Sequence, residues 1–274
     1  MAVAIGVHAA ASPSAPALTS QAPTLRGNRG VRWRQVFRDN FGGAVRVGRF
    51  LRAEARRWGA SYPDGTPDTT GHGVYMPSSV VSIGRGMLTM HLHTARGRHM
   101  AAALVPTIPH AHAGHGLLYG RFVVRMRADR LAGYKIAVML WPDSENWPHD
   151  GEIDFPEGGL NSTMNGFVHY LGATSASDQA AFATEVRYTG WHTTSVTWLR
   201  NSLTFQIDGR TVGRVVRRIP NTPMHLVIQT ETQTDGPAPS SRTSGNVKLA
   251  SVAVYTPACN PKMSISPSIA SCGG

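Results

Sequence analysis

The chain has 274 residues, enough for one large domain or two smaller ones with a core of ordinary size. Only 16% of residues are charged and no uncharged apolar stretch reaches 18 residues, which excludes a membrane-spanning helix. The 29 glycines and 18 prolines favour turns over long helices and exclude a coiled coil. A net charge of +11 comes from 27 bases against 16 acids, and ten arginines fall between Arg26 and Arg57. No recognition helix, zinc-finger spacing or aromatic RNA-binding strand goes with them. The excess therefore reads as a solvated basic surface, with no sequence-specific nucleic-acid partner.

Residues 1–30 open on a short apolar run, Met1–Ala11, followed by small residues and prolines over Ser12–Pro23. They read as a leader of secretory type that lacks its basic end, or as a disordered one. From residue 31 the periodicity is that of strands. Ser79–Ile83 and Met87–Thr94 flank Gly84-Arg85-Gly86, and Leu203–Asp208 and Thr211–Val216 flank Gly209-Arg210, in the manner of hairpins. Further β-rich runs are Leu117–Ala128, Tyr134–Trp141, Gly166–Leu171, Thr193–Leu199, His225–Thr232 and Val247–Tyr255. There is no helical stripe of ten residues and no internal repeat. One all-β domain over 31–256, a sandwich of two sheets, accounts for this pattern. The tail over 257–274 carries both cysteines, Cys259 and Cys272. Their spacing suits neither a Cys₄ zinc site nor a CxxC redox motif, so a disulfide that pins the tail is expected. Disulfide and leader together imply an oxidising destination: secreted, extracellular or cell wall.

Six of the 16 acids crowd into fifteen positions: Asp143, Glu145, Asp150, Glu152, Asp154 and Glu157. Asp143, Glu145 and Asp150 lie among Pro, Ser, Asn and His and read as a solvated acidic loop. A calcium loop is disfavoured, because the D-x-D-x-D-G spacing with a later Glu is absent. The segment Gly151-Glu-Ile-Asp-Phe-Pro-Glu157 is different. In a strand Glu152 and Asp154 share a face, with Ile153 and Phe155 on the other. Glu157 has the wrong parity, and one extra residue, a β-bulge, brings it back. Pro156 suits such a place because it cannot donate a ladder hydrogen bond. Three carboxylates on one sheet face have a chemical use in glycoside cleavage, which needs one ionised and one protonated carboxyl about the scissile bond.

Trp147-Pro-His-Asp-Gly-Glu-Ile-Asp-Phe-Pro-Glu157 resembles the W-P-x-x-G-E-I-D-x-x-E motif of glycoside hydrolase family 16, the laminarinase, agarase and carrageenase group. The resemblance extends to Tyr119-Gly-Arg-Phe122, Arg125 and Met139-Leu-Trp-Pro142 upstream. Downstream it takes in Phe167-Val-His-Tyr170, Trp191-His192, Val196-Thr-Trp198 and Asp208-Gly209, so it covers roughly 35–256. It departs from the family at Val123, where Glu is frequent, and at Met100-Ala-Ala-Ala-Leu104, where an Arg is frequent. Both departures bear on the substrate and not on the chemistry. The resemblance implies a concanavalin A-like jelly roll of two curved antiparallel sheets with an open cleft. It implies Glu152 as nucleophile, Glu157 as general acid/base and Asp154 between them, tuning the pair. It further implies retention of configuration on a β-linked polysaccharide, with β-1,3-glucan or mixed-linkage β-glucan as first choice. A transglycosylase and a non-catalytic lectin are the rival readings. Glu157 is expected to be raised toward about 6 by desolvation and nearby negative charge.

Trp141 and Trp147 flank the loop into the motif and are expected to stack on sugar rings. His169 alone reads as a satisfied strand histidine, but the family places a histidine of the following strand in the cleft. Tyr134 fits core or cleft and stands as a fourth substrate-binding candidate, while Trp191 and Trp198 are expected in the core. His110, His112 and His115 share a loop with no acid beside them to complete a metal site. No cofactor is expected for catalysis. The family's structural calcium is expected on the convex face, with no ligands assigned, and the chain is expected to act as a monomer on a polysaccharide.

Overall fold

The computed structural model describes residues 31–109, 111 and 116–258. The leader, His110, His112, His115, both cysteines and nearly all of the tail lie outside these residues. The first part of the chain forms β1 (Trp33–Asp39), α1 (Phe50–Ala53), β2 (Trp58–Ala60), β3 (Gly73–Tyr75), α2 (Pro77–Val80), β4 (Val81–Gly84) and β5 (Met87–Ala95). It continues with β6 (Arg98–Ala101), β7 (Ala103–Pro106), β8 (Gly120–Ala128), β9 (Tyr134–Pro142), β10 (Glu152–Gly159), β11 (Thr163–His169) and β12 (Gln179–Arg187). It closes with β13 (His192–Leu199), β14 (Ser202–Ile207), β15 (Arg210–Val215), β16 (Met224–Thr232) and β17 (Gly245–Pro257). Ten strands form one sheet, in the order β15-β14-β13-β8-β17-β5-β6-β3, with β1 on β17 and β4 on β5. Seven form the other, β12-β11-β10-β9-β16-β7-β2. Every named pair is antiparallel except β3 with β6. This is the expected sandwich of two antiparallel-rich sheets.

Alternation decides which side chains enter the space between the sheets. On β8, Phe122, Val124, Met126 and Ala128 are buried, while Arg121, Val123, Arg125 and Arg127 are half-buried on the outer side. The two layers meet where Phe155 of β10 stacks on Phe205 of β14, ring centroids 4.6 Å apart. Full burial of such a ring contributes about 2–3 kcal/mol. Gly166 of β11 makes that contact possible, since a Cβ there would lie 2.7 Å from the Phe205 ring. The run Met100-Ala-Ala-Ala-Leu104 also has a structural reason. Between β6 and β7 the chain passes from one sheet to the other at Ala102, and all three alanines are fully buried. Thr230 of β16 ties the crossing, donating its N–H to the Ala102 carbonyl and accepting the Ala102 N–H on its hydroxyl.

Several expectations change here. Ser79 and Val80 belong to α2, which Pro77 starts at its first helical position, and the strand begins only at Val81. The second hairpin turns at Asp208-Gly209, both with positive φ, not at Gly209-Arg210, because Ile207 already pairs with Arg210. Trp198 is core, its ring N–H donated to the Pro220 carbonyl at 2.9 Å. Trp191 is not: it is half-buried, with the Arg125 guanidinium 5.7 Å from its ring.

Candidate active site

A cleft of about 1020 Å³ lies on one face of the seven-stranded sheet. From β9 it is lined by Lys135, Ala137, Met139 and Trp141, and from β16 by His225, Val227, Gln229 and Glu231, in each case every second residue. β10 lies beside β9 and presents Glu152 and Asp154 to the same cleft, while Ile153 and Phe155 are buried on the other side. Asp154 pairs with Met139 on β9 and Phe167 on β11, and Glu157 pairs with Ala137 and Asn165. Three steps along β10 therefore match two along each neighbour. That is the bulge at Phe155-Pro156, and it returns Glu157 to the cleft face. Gly151, immediately before the strand, has φ 79°, and a Cβ there would meet the His169 carbonyl at 2.6 Å, so only glycine fits.

Glu152 accepts the ring N–H of Trp147 at 2.8 Å. His169, directly opposite on β11, places Nε2 3.6 Å from Glu152 and 3.8 Å from Asp154. Burial lowers the proton affinity of His169 and favours its neutral form. Asp154 is wholly buried, and that burial, with the charges of Glu152 and Glu157 added, raises its pKa well above the ordinary range. Burial also raises Glu152, to about 7, although hydrogen bonds from Asp154 and Trp147 work the other way. The pair is thus built to keep a proton. Placed on Asp154, that proton is shared with Glu152 and leaves Glu152 as the ionised carboxylate facing the cleft.

Glu157 is the most open of the three, with 19% of its side chain exposed, and Lys135 Nζ lies 2.6 Å from its Oε1. Beside the negative charge expected around it, Glu157 thus has a positive neighbour that the sequence reading did not include. Lys135 also lies 3.6 Å from Glu231, which accepts the Tyr75 hydroxyl at 3.1 Å. Lys135, Glu231 and Tyr75 were not singled out from the sequence. The signal for Lys135 was its parity with Trp141 along one strand.

That parity also corrects Tyr134. One step from Lys135, it points between the sheets, is 0% exposed and does not line the cleft. Trp141, Trp147 and His169 do line it. The two tryptophan rings are stacked, centroids 6.2 Å apart, and the Trp141 N–H goes to Glu145 at 2.9 Å. Asp143 and Asp150 are tied rather than solvated. Asp143 accepts the Gly116 N–H and pairs with His225 at 2.8 Å, and Asp150 accepts Ser144 and Asn146.

Among the described residues, Glu152, Asp154 and His169 are the one set of acids and histidines close enough to surround a cation, donor atoms within 4.8 Å. Glu152 already accepts the Trp147 N–H, while Asp154 Oδ2 and His169 Nδ1 have no hydrogen-bond partner among the described residues. No such set lies on the convex face among the described residues, so nothing there assigns ligands to the expected calcium. No helix among those residues is long and apolar enough to cross a membrane.

The fold is shared with solved β-glucanases. The laminarinase from Rhodothermus marinus superposes with a TM-score of 0.68 at 22% identity, over 84% of this chain and 100% of that one. The catalytic domain of an endo-1,3-β-glucanase (laminarinase) from Thermotoga petrophila gives 0.67 at 16% identity, over 84% and 100%. A non-specific endo-β-1,3(4)-glucanase solved with 1,3-β-D-cellobiosyl-glucose at its active site gives 0.68 at 18% identity, over 83% and 97%. At these identities the likeness is one of fold. No curated protein matches the chain in sequence. The sequence model of glycosyl hydrolases family 16 matches residues 87–248, more than half the chain and the whole carboxylate strand. On that match, the chain belongs to glycosyl hydrolases family 16.

Proposed function

We propose that this glycoside hydrolase is endo-acting and retaining, and that its substrate is a neutral β-1,3-glucan or mixed-linkage β-glucan. One observation carries the reading: Glu152, Asp154 and Glu157 stand on one face of β10 because of the bulge at Phe155-Pro156. Ionised Glu152 attacks the anomeric carbon while Glu157 gives its proton to the departing glycosidic oxygen. The bond to that oxygen breaks, and a glycosyl ester on Glu152 forms. Glu157, now a carboxylate, takes a proton from water, whose oxygen displaces Glu152 and completes two inversions at one carbon. Asp154 donates its hydrogen bond to Glu152 throughout. Trp141 and Trp147 offer faces to pyranose C–H groups, and His169 holds the edge of Trp147, their centroids 5.7 Å apart.

The names of the structural relatives support the glucan, and the charge of the cleft supports its neutrality. The lining carries Glu145, Glu152, Asp154, Glu157 and Glu231 against a single lysine. Export and a monomeric state fit a polysaccharide substrate, and the proposed disulfide between Cys259 and Cys272 belongs with them. The test is a panel of β-1,3-, mixed-linkage and β-1,4-glucans, galactans and carrageenans, with new reducing ends measured and products sized. Rapid shortening of a β-1,3-glucan or mixed-linkage glucan is expected. Products longer than the substrate would mean transglycosylation, and binding without cleavage of any glycan would mean a lectin.

A further inference from the structure

Lys135 is the one lysine or arginine that lines the cleft among the described residues, and it is placed by register. It sits directly opposite Glu231 of β16, while Glu157 of β10 pairs with Ala137, two residues along β9. Its side chain is 13% exposed, with Nζ 2.6 Å from Glu157 and 3.6 Å from Glu231. Glu231 is 3% exposed and is fixed by the Tyr75 hydroxyl. A carboxyl that must arrive protonated is thus held, before any substrate binds, against a buried ammonium.

We propose that Lys135, braced by Glu231 and Tyr75, is a positioning residue that aims the Glu157 carboxyl and sets the pH at which it carries its proton. The proposal rests on the assignment of Glu157 as acid/base. The charged and titratable groups around this pair are Glu152 and Asp154 on β10, His169 on β11 and Glu231 on β16, with Tyr75, Tyr62 and Tyr188 nearby. Burial alone would weaken the Lys135 ammonium, but Glu157 and Glu231 outweigh it, so Lys135 stays charged across the working range. An ammonium in contact favours the ionised carboxylate, so its removal favours the protonated one. Removal of Glu231, a negative neighbour, acts in the opposite direction.

The experiment uses the full chain and its Lys135→Met, Lys135→Arg and Glu231→Gln variants, each checked for fold by circular dichroism. The Glu157 carboxyl is titrated by ¹³C NMR with labelled glutamate, Glu157→Gln supplying the assignment. The pH dependence of kcat/KM on a β-1,3-glucan is measured alongside. Lys135→Met is expected to move the Glu157 midpoint and the alkaline limb upward by about one pH unit or more. Lys135→Arg should keep both near the wild-type position, and Glu231→Gln should move both downward. Should Lys135→Met fail to fold, the downward shift in Glu231→Gln carries the test alone. Unmoved midpoints in folded variants, or an arginine variant that behaves like the methionine one, would overturn the proposal. Shifted midpoints in a chain that cleaves no glycan would instead count against the proposed function.

Discussion

In the proposed mechanism Glu152 must be ionised and Glu157 protonated when the glycan binds, and single substitutions separate the two duties. Glu152→Ala should lose about a thousandfold or more in turnover with the fold intact, since Glu152 faces the cleft. Azide should fill the gap and restore part of the rate, giving a product of inverted configuration. More than a tenth of wild-type turnover without azide would sink the assignment. Glu157→Ala should slow natural glucans severely yet spare the first step on aryl glycosides whose leaving group needs no proton. Equal losses on both substrates would argue against the acid. The raised carboxyls also predict a stability profile. The Glu152–Asp154 pair keeps a proton in the folded chain at a pH where the unfolded chain has released it. The folded state binds more protons from the ordinary carboxylate range up to about 7, so stability falls as pH rises through that window. Glu152→Gln, neutral throughout, should flatten the fall and exceed wild type above it by on the order of 2 kcal/mol. Urea titrations at the two ends of the window measure this. Tyr134→Phe, by contrast, removes a buried hydroxyl that has no hydrogen-bond partner among the described residues, and should leave KM unchanged.

The bulge in β10 is the element on which the site turns, and changes in strand length test it. Deleting Pro156 makes the three acids alternate regularly, and a folded protein with reduced but measurable activity is expected. Replacing Phe155 and Pro156 with two alanines keeps the count, so activity should survive at a cost in stability from the lost stack on Phe205. An alanine inserted after Pro156 forces a two-residue bulge or a slip that turns every following side chain to the other face. It should be the worst of the three in activity per folded molecule. An active insertion beside a folded but dead deletion would end the bulge account. At this scale the sequence was legible where strands are long and half-buried. β5, β9 and β16 fall within a residue or two of their expected bounds at each end. The short strands β2, β3, β6 and β7 were missed, because three or four residues cannot display a period. β12, with no fully buried residue, was missed because its alternation runs only between half-buried and exposed.

Across the whole molecule, a chain of net charge +11 carries a cleft whose lining is acidic. Long-range attraction to anionic polymers and local repulsion within the cleft therefore oppose each other, and the short-range term governs the bound state. Carboxymethyl groups placed on a β-1,3-glucan should raise KM several-fold at low salt, and the difference should narrow as salt screens the cleft. An anionic derivative cleaved as well as the neutral glucan at every salt concentration would refute this reading of the cleft.

What the sequence by itself determined is local in origin. Alternation over nine-residue strands defined the sandwich, and the spacing of Glu152, Asp154 and Glu157 around Pro156 required the bulge that the structure shows. Parity along one strand even forbade Trp141 and Tyr134 from sharing a face, although both had been assigned to substrate. Only the tertiary structure could decide the partners. Lys135 meets Glu157 and Glu231, and Glu231 meets Tyr75 across 156 positions, because β9 lies between β10 and β16 in the sheet. Strand order is set by how two whole sheets close on one core. No window of residues contains that information, and the charges that surround the catalytic carboxyls depend on it.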